Sequence, residues 1–161
     1  MTLQQARIRG YELAVRSPRL WNRGDFHLAF SRQYVQGRGG VTGGLTDFTP
    51  PQNGGYYYLD HDQRHTLSTG FTVDLPIKTW ASGNLAYGSG FLDEDGPAHL
   101  PAHTTFDFSL GHNFGETWTA TLTMLNVSDN RYLIDNSNTF GGTHWSEPRQ
   151  AMVQVCYRFH Y

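Results

Sequence analysis

One cysteine in 161 residues, Cys156, rules out an internal disulfide framework and any zinc site built on paired thiolates. No run of about 20 consecutive apolar residues occurs, so no transmembrane helix is encoded. Positive charge is scarce as well: 12 Lys and Arg stand against 14 acidic residues, a formal net charge of −2. Nucleic-acid binding rests on neutralising phosphates, and this balance excludes that class of partner. Residues 1–9 lack the apolar stretch of a signal peptide, so the sequence predicts that any export signal lies outside it. Catalytic signatures are missing too. Tyr87-Gly88-Ser89-Gly90 has neither the spacing nor the following helix of a nucleophile elbow. Residues 37–44 are Gly-rich but lack the Lys-Ser/Thr of a phosphate-binding loop. No convergent acid/base pair can be placed. The expectation is a protein that is not an enzyme and carries no cofactor.

What the chain does have is aromatic residues, at 14%, and 18 glycines, with a mean hydropathy of −0.52. Its clearest pattern is at the end. Ala151, Val153, Val155, Tyr157, Phe159 and Tyr161 alternate with Met152, Gln154, Cys156, Arg158 and His160, as in a strand with one face in lipid and the other in water. Mean hydropathy is blind to such strands, because each hides only every second residue from water.

Six further segments alternate in the same way. Residues 6–16 place Tyr11, Leu13 and Val15 opposite Glu12, Ala14 and Arg16; residues 25–36 place Phe26, Leu28 and Phe30 opposite His27, Ala29 and Ser31. Residues 65–75, 80–91 and 104–114 follow, and then a strand whose apolar face is Trp118, Ala120, Leu122 and Met124. Gly- and Pro-rich residues 37–58 read as a long loop, as do residues 93–101 and 135–148, whereas the connections at 17–18, 76–79 and 115–116 are short. Strands of about 10 residues suit a tilted bilayer crossing, and short turns on one rim with long loops on the other match the periplasmic and extracellular ends of an outer-membrane barrel. The predicted fold is therefore all-β: a portion of a transmembrane antiparallel up-and-down β-barrel, of about seven strands. Seven strands do not close alone, since an open edge in lipid leaves backbone groups unsatisfied. A small soluble all-β ligand-binding module, for example for carbohydrate, is the alternative; it requires shorter strands and apolar faces turned inward.

Three segments in this order carry a family resemblance. Leu59-Asp60-His61-Asp62-Gln63-Arg64-His65-Thr66-Leu67, then Asn126-Val127-Ser128-Asp129-Asn130-Arg131-Tyr132, then Tyr157-x-Phe159-x-Tyr161 resemble the last strands of TonB-dependent outer-membrane receptors. The entry Arg9-Gly10-Tyr11-Glu12-Leu13 is similar to strands of the same family. Val127-Ser128 stands where Leu-Phe is usual, and Tyr161 where Phe is commoner. The resemblance covers nearly the whole chain. It implies a large barrel with a plugged lumen, placed in the outer membrane of a Gram-negative-type bacterium, that imports a siderophore, vitamin, oligosaccharide or similar nutrient. It also implies that residues 1–161 are the C-terminal part of such a barrel, and that contact with TonB and the plug is made only through an N-terminal part not present in the sequence.

The candidate ligand-binding residues lie in the long loops: Tyr56, Tyr57, Tyr58 and His61 in one, Phe140, His144 and Trp145 in another, where aromatic and imidazole groups could stack on and hydrogen-bond a small-molecule ligand. Tyr157, Phe159 and Tyr161 are the candidate signal for the barrel-insertion machinery, which would capture the terminal strand by strand addition; the lipid bilayer is the other expected partner. No metal site is expected. His61 with His65, and His99 with His103, have helical spacing in segments that are not helical, and Pro101 interrupts the second pair. Asp93-Glu94-Asp95 reads as a solvated turn, and Cys156 as a small residue of the polar face.

Overall fold

In the computed structural model, residues 2–42, 51–59, 61–94, 96–136 and 142–159 are described, with side chains at positions 4–40 of the first segment. The alternating segments form strands β1 (Thr2–Arg16), β2 (Gly24–Thr42), β4 (His65–Leu75), β5 (Thr79–Gly88), β6 (His103–Phe114), β7 (Trp118–Leu125) and β10 (Gln150–Tyr157). Three short strands lie in the loops: β3 (Tyr57–Tyr58), β8 (Leu133–Asp135) and β9 (His144–Trp145). The described residues contain no helix. The main sheet runs β1-β2-β4-β5-β6-β7-β10 with every pair antiparallel; β3 adds to β2, and β8 pairs with β9 in a separate hairpin. β1 and β10 each have one neighbour, so the sheet is not closed.

Register merges all the apolar rows on one surface. Directly paired residues of an antiparallel sheet share a face, and Leu13 pairs with Phe30, Phe30 with Leu67 and Leu67 with Tyr87. Further along, Ala81 pairs with Leu110, Leu110 with Leu122 and Leu122 with Val153. The opposite face is mostly polar, with Ile8, Trp80 and Met152 among its large apolar exceptions. Glu12, Ser31, Thr66, Gly88 and His103 share one row, and Ser109 hydrogen-bonds Thr123 across the β6–β7 pair at 3.0 Å.

No second layer covers the apolar face among the described residues. The buried apolar side chains of the described residues are Tyr57, Ala81 and Leu92, of which Ala81 alone belongs to this face, while Val153 is 75% exposed. A soluble sandwich would turn these rows inward, so the soluble-module alternative fails on this observation. A single polar-backed sheet whose apolar face is bare has lipid as its natural covering.

The strand borders depart from expectation in several places. β1 begins at Thr2 and β2 runs on to Thr42, so the long loop does not start at Gly37. Glycine is a weak strand former, but Gly37 here pairs with Ala6 and with Tyr57, and Tyr57–Tyr58 are strand rather than loop. β5 ends at Gly88, because Gly90 (φ +98°) turns the chain where any Cβ would collide with the carbonyl of Leu100. The loop rim and the turn rim otherwise fall where the pattern puts them, with turns at 17–23, 76–78 and 115–117.

Candidate functional site

Two of the motif segments turn out to be latches that fasten the long loops to the sheet. β3 leaves β2 after Tyr58, and β4 joins it only at His65, so the chain between them bows away and Val35 loses its neighbour's carbonyl. Asp62 fills the gap. Its carboxylate is fully buried, accepts the Val35 amide at 2.8 Å and meets His99 Nε2 at 3.0 Å, which ties the 89–102 loop to the same point. Asn126 does the equivalent work after β7. At 6% exposure it donates to the carbonyls of Asn130 and Glu147, both at 3.1 Å, and accepts the Asn130 amide at 3.0 Å. Its own amide donates to Asp107 of β6 at 2.8 Å.

These latches hold a ring stack over the polar face at the loop rim. His103 and Tyr132 lie face to face, 3.6 Å apart and 3° from parallel, with Phe91 stacked beside His103 at 5.4 Å. His61 meets Phe91 edge-on at 6.3 Å, and Tyr58 meets His99 edge-on at 5.8 Å. The stack needs Gly88 beneath it, since a Cβ there would collide with Gln63 and His103. Under this roof is a cavity of about 310 Å³ whose floor is the small polar-face residues Ala29, Ser31, Thr66, Ser68, Ala86 and Thr105. A second cavity of about 370 Å³ opens on the other side of His103 and Tyr132, against Leu100, Leu133 and Trp145.

His103 is the polar group between the two cavities. It is 8% exposed, and Gln63 donates to its Nε2 at 3.3 Å, which leaves the proton on Nδ1. That Nδ1 is shielded and has no hydrogen-bond partner among the described residues. A buried donor without an acceptor costs about 1–3 kcal/mol, and a ligand oxygen would recover it. Burial also pushes the Tyr132 phenol above its ordinary value, so it remains a neutral donor.

The structure separates the loop candidates. His61 reaches the ring stack through Phe91, and Trp145 lines the second cavity. Tyr57 packs over Gly37, with its hydroxyl donating to the Gly39 carbonyl at 3.2 Å, and Tyr56 and Tyr58 lie against arginines rather than the stack. His144 lies 3.7 Å from Asp135 in the β8–β9 hairpin. Phe140 falls outside the described residues, as does Tyr161 of the terminal strand. Tyr157 and Phe159 lie at the turn rim on the apolar face, where Tyr157 packs 4.6 Å from Trp118. His65 stacks on Phe30 of the apolar face, so the two spaced histidine pairs point to different surroundings. Asp93 and Glu94 are engaged by Asn136, through hydrogen bonds of 2.8 Å to the Asp93 carboxylate and from the Glu94 amide.

Phe91, His103 and Tyr132 were not singled out as a ligand site in the sequence. Phe91 lies in the connection after β5, His103 opens β6 and Tyr132 lies in the connection after β7, so the pairing of β6 with both β5 and β7 unites them. The one local signal is a glycine, Gly88, directly opposite a histidine at a strand end.

Neither curated proteins nor solved structures returned a match to the chain. A comparison with protein families matches residues 2–127 to the family described as TonB dependent receptor-like, beta-barrel. The matched span runs from β1 through β7 into the Asn126 latch, and the open antiparallel sheet with one apolar and one polar face is what part of such a barrel looks like. The chain belongs to the TonB-dependent receptor β-barrel family.

Proposed function

We propose that the chain forms the C-terminal strands of an outer-membrane uptake receptor, and that its share of the work is to hold a small-molecule nutrient under the extracellular loops. The family is one of transport across the outer membrane, which supports localisation there and energy coupling through TonB and a plug carried by other parts of the receptor. The observation that carries the ligand role is the unpartnered Nδ1 of His103, set in an aromatic stack between two cavities. Aromatic walls with a few fixed polar groups are what a pre-formed ligand pocket requires. Siderophore, vitamin and oligosaccharide all fit that description.

Trp145 reports on the second cavity. Full-length chain in detergent is titrated with a ferric hydroxamate chelate, cyanocobalamin and a maltooligosaccharide, with Trp fluorescence as readout. One of the three is expected to give a saturable change, and His103→Leu to weaken it roughly tenfold, the value of one lost buried hydrogen bond. Saturation by none, or an unchanged affinity in the variant, removes the ligand role.

A further inference from the structure

Five arginines collect on the apolar side of the sheet, just past the point where its apolar row ends. On β1 the outward row runs Val15, Leu13, Tyr11, then Arg9 and Arg7; on β2 it runs Phe26, Leu28, Phe30, then Arg32, Tyr34, Gln36 and Arg38. Paired positions step together, Tyr11 with Arg32 and Arg9 with Tyr34, so the change from hydrocarbon-compatible to cationic falls on one line across both strands. β2 has 19 residues, about twice the 9–11 that a tilted crossing uses. Its upper half therefore stands above the hydrocarbon, still facing outward.

Four of these guanidiniums, all but that of Arg9, rest on rings instead of acids. Arg7 lies 3.9 Å from the centre of the Tyr56 ring, and Arg64 reaches over from the start of β4 to lie 5.0 Å from Tyr58 and 5.8 Å from Tyr34. Arg32 donates to the Tyr34 hydroxyl at 2.5 Å. The ion pairs among the described residues engage Arg16, Arg19, Arg149, His99 and His144, and none of these five arginines. The contrast between rims is direct: at the turn rim Arg16 faces Asp25 and Arg19 faces Asp74, whereas these five arginines have no acidic partner among the described residues. Arg7, Arg32 and Arg64 moreover each have a shielded Nε without an acceptor. A formal net charge of −2 hides this segregation.

We infer that this outward Arg–Tyr patch, on Arg7, Arg9, Arg32, Arg38 and Arg64, binds the phosphate-bearing headgroup of an outer-leaflet lipid. Position selects the ligand. A surface that faces outward above the apolar band meets headgroups rather than a nutrient in the lumen, and planar guanidiniums donate paired hydrogen bonds to phosphate oxygens. The inference rests on the apolar face meeting lipid, and it adds a site on the outside of the barrel wall, away from the ring stack.

The test uses the full chain and vesicles of phosphatidylcholine, with and without phosphatidic acid, at constant ionic strength. Wild-type chain is expected to bind the phosphatidic acid vesicles at least about fivefold more tightly, since each guanidinium near an anionic surface is worth a factor of about five. Arg7→Gln with Arg9→Gln should abolish most of that preference, as should Arg32→Gln with Arg64→Gln, whereas Arg16→Gln with Arg19→Gln at the opposite rim should keep it. Equal binding to both vesicles overturns the headgroup site while leaving the membrane reading intact; binding to neither overturns the membrane reading itself. Loss of the preference in the turn-rim variant, or its complete competition by inorganic phosphate, also overturns the proposal. The wild-type comparison stands whether or not a variant folds.

Discussion

A single buried carboxylate shows how much of the loop rim depends on individual side chains. Asp62 satisfies a β2 amide that the sheet leaves without a partner, at Val35, and in the same contact anchors His99. Asp62→Ala strands that amide and frees a whole loop. The expected cost is about 1–3 kcal/mol, the penalty of an unsatisfied buried donor. It should show as faster hydrogen exchange at Val35, with the exchange of β5 and β6 unchanged. Asp62→Asn keeps an acceptor for the amide and should cost less. Equal exchange at Val35 in Asp62→Ala and wild type would show that the latch carries no load. Both latch residues stood in motifs legible in the sequence, but their task did not. The need for Asp62 arises only because β3 and β4 leave a gap along β2, and a gap between partners is not written in either segment alone.

At the scale of elements, the turn between β4 and β5 is built against its own residues. Ile77 and Lys78, two of the three residues between β4 and β5, have φ of 58° and 57°, in the left-handed region. A β-branched residue in that region is strained by roughly 1–2 kcal/mol, and Ile77 is 81% exposed, so packing does not repay it. Replacing the pair through Ile77→Asn and Lys78→Gly should raise the urea midpoint of the chain folded in detergent; a lower midpoint would mean that Ile77 anchors the rim in lipid more than its backbone suffers. The existence and facing of the seven long strands were legible, because a period of two survives any loop, whereas the short β3, β8 and β9 lie in segments without that period. β4 matches its expected borders, 65 to 75, since Pro76 closes one end and the polar Asp62-Gln63-Arg64 precedes the other. The sequence pattern ends β2 at its glycines, whereas the strand runs on to Thr42. Gly39, at φ +86°, lets the strand pass the Gln4 side chain where β1 shifts register, and composition alone reads such a residue as loop. The alternation of the terminal segment continues past Tyr157, whereas among the described residues its pairing with β7 ends there.

For the molecule as a whole, the decisive quantity is the pair of unpaired edges. β1 and β10 each present one row of amides and carbonyls with no partner strand, and in hydrocarbon each such group costs several kcal/mol. The apolar face draws the sheet into lipid, but the edges forbid it to stay there singly. The two demands are met together only when further strands add to both sides, from the rest of a receptor barrel or from a second copy of this chain. Either solution places the ring stack of His103 against an enclosed lumen and the arginines against the leaflet, so closure is what turns two faces into two sites. In detergent the purified chain is accordingly expected to assemble rather than persist at its 18.2 kDa monomer mass. Amides of β1 and β10 should gain protection with assembly, measured by hydrogen exchange alongside light scattering, while those of β5, paired on both sides, are slow from the outset. A monodisperse monomer whose β1 and β10 amides are as protected as those of β5 would mean that the edges are covered within one chain, and the open sheet would no longer describe the protein in a membrane-like setting.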